Sequence, residues 1–219
     1  MSWSGGKDSS LALNQILHSK GIDVAGPLTN ITKDYDRISM HGLRRSLLRQ
    51  QVASTGLPLY EMPIPKNATN EIYEHELKTT LSGLKQDLEI SSIVFGDLFL
   101  QDIRDYREKL LSSMGMEGLF PLWGRDTREL AKYFARTGFR AILCTVDPRK
   151  LDPSFCGHEF DRSFLSEIPE GVDPCGENGE FHTFVYDGPI FRRPIKVTRG
   201  EIVEREGFYF ADLLPLEQG

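Results

Sequence analysis

Long apolar runs are absent from this chain. No segment approaches the roughly 20 consecutive apolar residues needed to cross a bilayer, and the N-terminus carries neither a basic n-region nor an apolar h-region. Neither membrane insertion nor secretion is indicated, so a cytoplasmic protein is expected. Cysteine is scarce: Cys144, Cys156 and Cys175 stand 12 and 19 residues apart with no CxxC pair, which suits reduced thiols better than a disulfide framework or a zinc site. An excess of positive charge is also missing. The formal net charge of −6 argues against a dedicated nucleic-acid partner, and the basic run at 192–199, "RRPIKVTR", reads as a solvated strand edge. There is no low-complexity tract and no internal repeat. What remains is an ordinary globular composition, 39% hydrophobic and 26% charged over 219 residues, enough for one large domain or two small ones with a core that needs no disulfide or metal.

Apolar stretches with strand character alternate with helical patterns through the first half. Strands are expected at 1–4, 24–32, 57–64, 91–99 and 119–123, and helices at 8–20, 41–55, 67–88 and 101–113, each with apolar residues three and four apart, such as Leu43, Leu47, Leu48 and Val52. That alternation implies a parallel sheet. Past Trp123 the texture changes. "GRDTRELAKYFARTG" predicts a helix, with Asp126 and Glu129 at capping-box spacing, followed by the strand "FRAILCTVD" and a hairpin-like tail. The expected organisation is an α/β domain at 1–123 and a smaller α+β domain at 124–219.

The first sharp motif is "SGGKDS", Ser4 to Ser9. Adjacent glycines after a buried strand let the backbone turn and bring its amides against an anion, and the following helix adds its positive end. Lysine in a first helical turn is disfavoured by the macrodipole at about 0.3–1 kcal/mol, so Lys7 points to a bound anion. Ser4 and Ser9 offer hydroxyls; Asp8 could cap the helix or hold a magnesium ion riding on phosphates. The spacing fits neither a Walker A loop nor GxGxxG. The second motif lies in "DPCGENGEFHTFVYDGPIF", which gathers Asp173, Glu177, Glu180 and His182 outside any regular period. The acids miss the EF-hand spacing, and Cys175, Glu180 and His182 lack the second ligand pair of a zinc site. His182 reads either as a neutral core histidine or as part of a site.

"SGGKDS" resembles the PP-loop of the adenine nucleotide α-hydrolase superfamily, the ATP pyrophosphatases. "GENGEFHTF" resembles the C-terminal motif of the diphthamide synthase ATP-binding family, the diphthine–ammonia ligases and their bacterial relatives, and "MHGLR" at Met40, "GDL" at Gly96 and "PLW" at Pro121 also match. The resemblance covers essentially the whole chain. In the diphthine ligases the second motif reads more like "GEGGEYET", with a glycine at the position of Asn178 and an acid at that of His182; the bacterial members carry "GENGEFHTF", and this sequence is similar to them.

The resemblance implies a five-stranded parallel PP-loop sheet of Rossmann-like, HUP-like type, then a small domain whose acidic loop faces ATP across a cleft. It implies an ATP-dependent ligase: AMP is transferred to a carboxylate of a small molecule or a protein, pyrophosphate leaves, and ammonia or an amine forms the amide. Ser4, Gly5, Gly6, Lys7, Asp8 and Ser9 would hold the phosphates with Mg2+ on Asp8, and Asn30 and Ile31 would line the adenine. Lys7, Asp97, Glu177, Glu180 and His182 are the candidate catalytic groups; Gly176, Asn178, Gly179 and Thr183 are expected beside the acceptor. A PP-loop enzyme acting on a tRNA base and a non-catalytic ATP sensor stay open as alternatives, as does a homo-oligomer. A central parallel strand usually has five or six residues. Only Met1 to Ser4 precede the glycines here, so either the sheet tolerates a stub or the start codon lies upstream.

Overall fold

The computed structural model describes residues 1–33, 37–38 and 42–216. Met40 and His41 of "MHGLR", with the expected start of the second helix, lie outside them. The order is α1 (Lys7–Leu17), β1 (Leu28–Thr32), β2 (Arg37–Ile38), α2 (Arg45–Thr55), β3 (Tyr60–Ile64), α3 (Asn70–Leu88), β4 (Ser92–Val94), α4 (Gln101–Ser112), β5 (Glu117–Leu119), α5 (Thr127–Arg136), β6 (Arg140–Val146), a 3-10 turn (Pro153–Phe155), α6 (Arg162–Glu167), β7 (Phe181–Asp187), β8 (Val197–Arg205) and β9 (Phe208–Pro215).

The parallel pairing expected for the first half is present between β1 and β3, with Leu28 opposite Tyr60, and between β4 and β5. The single five-stranded sheet is not. The strands form a three-stranded sheet, β2-β1-β3, in which β2 runs antiparallel, and a separate two-stranded sheet, β4-β5. Residues 1–3 lie between the two. Trp3 N–H donates to the Leu28 carbonyl and Leu28 N–H to that of Met1, each at 2.8 Å, while Ser2 N–H donates to Val94 O at 2.9 Å. The chain turns at Gly5, φ +81°, before this segment can build a ladder, so it contributes one isolated bridge, Ser2 to Leu28.

The second half is an antiparallel sheet in the order β7-β6-β9-β8. The turn between β8 and β9 places Glu206 and Gly207 at φ +52° and +79°, the left-handed pair that hairpin twist favours. The basic run enters β8, an edge strand, where Arg199 donates to Gly157 O at 2.7 Å. Asp126 caps α5 by accepting from Glu129 N–H at 2.8 Å.

Helical periodicity turns into burial as expected: Leu47, Leu48 and Val52 of α2 are fully buried. They belong to a core that also holds Leu11 and Leu13 of α1, Leu130 and Phe134 of α5, Leu143 of β6 and Phe184 of β7. One hydrophobic cluster therefore runs through both halves. A smaller one, around Met62, Leu81, Ile93 and Leu111, fills the space under α3 and α4. Among the described residues no helix is long and apolar enough to cross a membrane.

Candidate active site

The glycine turn and the acidic loop, some 170 residues apart, meet. Gly6 caps α1, and the peptides on either side of it are fixed from the second half. The Gly5 carbonyl accepts from Val185 N–H of β7 at 2.9 Å and from Gln51 Nε2 at 2.8 Å. Because a trans peptide sets C=O and N–H in opposite directions, anchoring the Gly5 carbonyl in the interior aims the Gly6 N–H outward, where Ser4 Oγ accepts it at 3.2 Å. Lys7 N–H donates to Thr183 Oγ1 at 3.0 Å. Ser9 Oγ and Ser10 Oγ both donate to the Gly6 carbonyl at 2.9 Å.

Gly96, two residues past β4, brings the segment after that strand against this turn. A Cβ there would stand 2.8 Å from the Asp8 carbonyl carbon and 3.0 Å from Ser9 N, so only glycine permits the approach. The acidic loop is shaped by its own glycines: Gly176 and Gly179 have φ of +69° and +79°, and a Cβ on Gly176 would meet Phe181 O at 2.8 Å. Asp173 Oδ2 accepts from Glu177 N–H, and Glu180 Oε1 accepts from Asp173 N–H and from Asn178 Nδ2. Glu177 reaches across to accept from Leu98 N–H at 2.8 Å.

Together these elements enclose a cavity of about 270 Å3 lined by Ser4, Gly6, Lys7, Asp8, Ser9, Asp97, Gly176, Glu177, Gly179, His182 and Thr183, with Ser2, Phe95, Gly96, Arg107, Cys175 and Phe181 completing the wall. Its charges are crowded and mostly screened from water. Lys7 Nζ donates to both Asp8 oxygens at 2.7 Å and sits about 6 Å from the ring centroids of Phe160 and Phe181, at 6.0 and 5.9 Å. Burial opposes the Lys7 charge, but Asp8 foremost, with Cys175 and Glu177 adding to it, holds the amine above its ordinary value. Burial pushes the Asp8 carboxyl up against the pull of Lys7. Asp97 is likewise raised by burial, with the Arg107 charge opposing. Burial lifts Glu177 to about 7, the Leu98 N–H opposing. Burial also takes His182 down to about 4, with Lys7 adding to the effect. At neutral pH the cavity thus holds a neutral imidazole and a carboxyl poised to exchange its proton.

Not every expected residue is on this wall. Gly5 is behind the turn. Glu180 is buried and braces the acidic loop, with Oε2 lacking a hydrogen-bond partner. Asn178 is exposed, and Ile31 is packed in the core. Asn30 lines a second, neighbouring cavity of about 160 Å3. Among the described residues no three His, Cys, Asp or Glu side chains are grouped to hold a metal ion. Cys175 is a free thiol raised to about 12 by burial and donating to Thr127 O at 3.3 Å, a packing residue rather than a nucleophile.

Two participants are invisible in the motifs. Gln51, fully buried on α2, donates to Gly5 O and, at 2.6 Å, to Val185 O, and accepts from the Trp3 indole at 2.9 Å. Arg107 of α4 lies with its guanidinium carbon 4.2 Å from the Phe95 ring centroid and its Nε 2.9 Å from Asp97 Oδ2. On the sequence both read as polar positions of amphipathic helices. The only available signal is that a glutamine among buried α2 positions needs partners for its amide.

The diphthamide synthase N-terminal domain model matches residues 1–118, and the diphthamide synthase C-terminal domain model matches residues 126–213. Curated relatives at this distance include the diphthine–ammonia ligases of Homo sapiens, 27% identical over 231 residues, and of Mus musculus, 26% identical over the same length, each alignment spanning 95% of this chain and 85% of the relative. That of Danio rerio is 26% identical over 229 residues, spanning 95% and 89%. With the N-terminal model alone matching more than half of the chain, and the acidic loop that meets its glycine turn falling inside the C-terminal match, this chain belongs to the diphthamide synthase family.

Proposed function

We propose that this chain is an ATP-dependent amide-forming ligase that activates a carboxylate by transfer of AMP, releases pyrophosphate, and couples the activated acyl group to ammonia or an amine as AMP leaves. The observation that carries the reading is the junction of the two motifs: a lysine-bearing glycine turn and a loop with a carboxyl near neutrality share one cavity. The relatives' name, diphthine–ammonia ligase, supports ammonia as the nitrogen donor and a diphthine-like carboxylate as the acceptor. We take 1–123 as the nucleotide-binding unit and 124–219 as the unit that presents the acceptor, in a cytoplasmic protein with reduced thiols.

In this reading the carboxylate oxygen forms a bond to the α-phosphorus as the bond to the pyrophosphate oxygen breaks. Gly6 N–H, the α1 N-terminus and Lys7 meet the charge that grows on the leaving group. The α/β half would carry its parallel strands as one functional surface, with the polar cavity taking the phosphates and the neighbouring cavity, which carries Asn30, taking the adenine. Mg2+ fits the donor set, since magnesium on a nucleotide is commonly held by phosphates plus one or two carboxylates, and Asp8 and Asp97 face the cavity; the ion would supply charge neutralisation there. Glu177, near pH 7, accepts the proton of an incoming ammonium. His182, neutral, hydrogen-bonds the acceptor without adding charge.

The test is to incubate the protein with ATP, ammonium and a diphthine-bearing protein, and to identify the nucleotide product. AMP with pyrophosphate is expected. ADP would overturn the reading, and tight ATP binding without turnover on any carboxylate would identify a sensor.

A further inference from the structure

The polar cavity and its neighbour share a wall. Ser2, Phe95 and Arg107 line both. The second cavity is otherwise largely apolar, with Leu77, Leu81, Ile93 and Leu110 facing Asn30 and Tyr73. Any molecule with a planar apolar end and a polyanionic end would lie with one in each and its middle across the shared wall. For a nucleoside triphosphate gripped by its terminal phosphates at the glycine turn, that middle is the ribose and the α-phosphate.

Among the described lining residues, Lys7 and Arg107 are the cations of the polar cavity. Lys7 is held by both oxygens of Asp8 at the turn. Arg107 is held differently. Its planar group rests on Phe95, its Nε is close to Asp97 Oδ2, and yet that buried oxygen has no hydrogen-bond partner. The ion pair is near in distance and misaligned in direction, so the guanidinium keeps its fork of N–H donors for another acceptor. Resting on the nucleotide reading above, we propose that Arg107 is a catalytic residue that faces the α-phosphate, with Asp97 and Phe95 as its positioning groups. Its charge meets the non-bridging oxygens of the phosphorus that the carboxylate attacks, where negative charge shifts as the bond to pyrophosphate breaks.

The assignment is tested without knowing the acceptor. Isothermal titration calorimetry of the full chain uses ATP, AMP, adenosine and pyrophosphate as separate probes, for the wild type, Arg107→Gln and Arg107→Lys, with a thermal melt of each to establish folding. Arg107→Gln is expected to weaken AMP about tenfold or more, the loss of one charge-assisted contact, while adenosine and pyrophosphate stay within about threefold. Arg107→Lys, charged but without the planar fork, falls between. Unchanged AMP affinity, or equal weakening of all probes, overturns the assignment while leaving the nucleotide reading in place. A wild type that binds none of the four probes overturns the nucleotide reading itself. If Arg107→Gln does not fold, Arg107→Lys decides alone: weakening of AMP with adenosine and pyrophosphate within about threefold of the wild type supports the role, and any other pattern rejects it.

Discussion

In the proposed phosphate grip Lys7 would answer two demands that pull against each other, staying charged in a buried place and yet remaining exchangeable with an anion. Asp8 meets the first by pairing with it, and the 27% exposure of the Asp8 side chain meets the second, because that carboxylate can turn toward water or a metal ion. Lys7→Ala is therefore expected to keep the fold, with Asp8 taking up a proton, and to lower turnover by about 10²–10³-fold or more; near-normal turnover in steady-state assays would remove the phosphate-grip role. Glu177 and His182 make opposite demands on pH. A carboxyl raised from 4.5 to about 7 is protonated in the folded chain where the unfolded chain is ionised, so its contribution to stability falls as pH rises through that window. A histidine lowered from 6.5 to about 4 binds more protons unfolded, so its contribution rises between those values. Glu177→Gln should accordingly become progressively more stable relative to the wild type between about pH 4.5 and 7, as read by urea unfolding at several pH values. A constant difference would place the Glu177 titration elsewhere.

At the scale of elements, the glycines and buried amides set the geometry of the turn. Gly96→Ala forces a methyl into the Asp8 backbone and should cost about 1–3 kcal/mol in denaturant unfolding, as overpacking of a tight site does. Gln51→Leu removes the amide that serves Gly5, Val185 and Trp3; about 1–3 kcal/mol of lost stability is expected, together with a KM for ATP that rises more than kcat falls, because the Gly6 amide loses its fixed direction. Local pattern foretold a good deal here. The three- and four-residue spacing marked the buried face of α2, Asp126 marked the start of α5, and the two motifs marked the lining of one cavity. The missing parts depend on contacts distant in sequence. Whether residues 1–3 extend a ladder or make a single bridge is decided by how soon Gly5 turns, and nothing in the periodicity of a four-residue stub records it. Gln51 and Arg107 are ordinary helix residues until Gly5 or Phe95 is brought beside them. Glu180, a catalytic candidate from its motif, has its Oε1 engaged by the loop's own N–H groups, a contact the motif does not record.

For the molecule as a whole, the continuous core matters more than the change of texture near Gly124. Leu11 and Leu13 share a cluster with Phe134 and Phe184, and Asp212 of β9 accepts from Arg37 and Arg44 of the first half at 3.1 and 2.6 Å. We expect one calorimetric transition for the full chain, and a fragment of residues 1–123 that lacks cooperative unfolding because most of the buried residues of the larger cluster lie beyond it. Two resolved transitions, or a fragment that melts sharply alone, would show independent units.

The anchoring of Gly5 by Val185 and of Lys7 by Thr183 also has a meaning in time. A chain is synthesised from its first residue onward, and here the earliest motif waits for nearly the last strands before its amides are aimed. The nascent chain therefore carries the glycine turn through most of its synthesis with these two anchors unmade, and the turn gains its final geometry only when β7 docks.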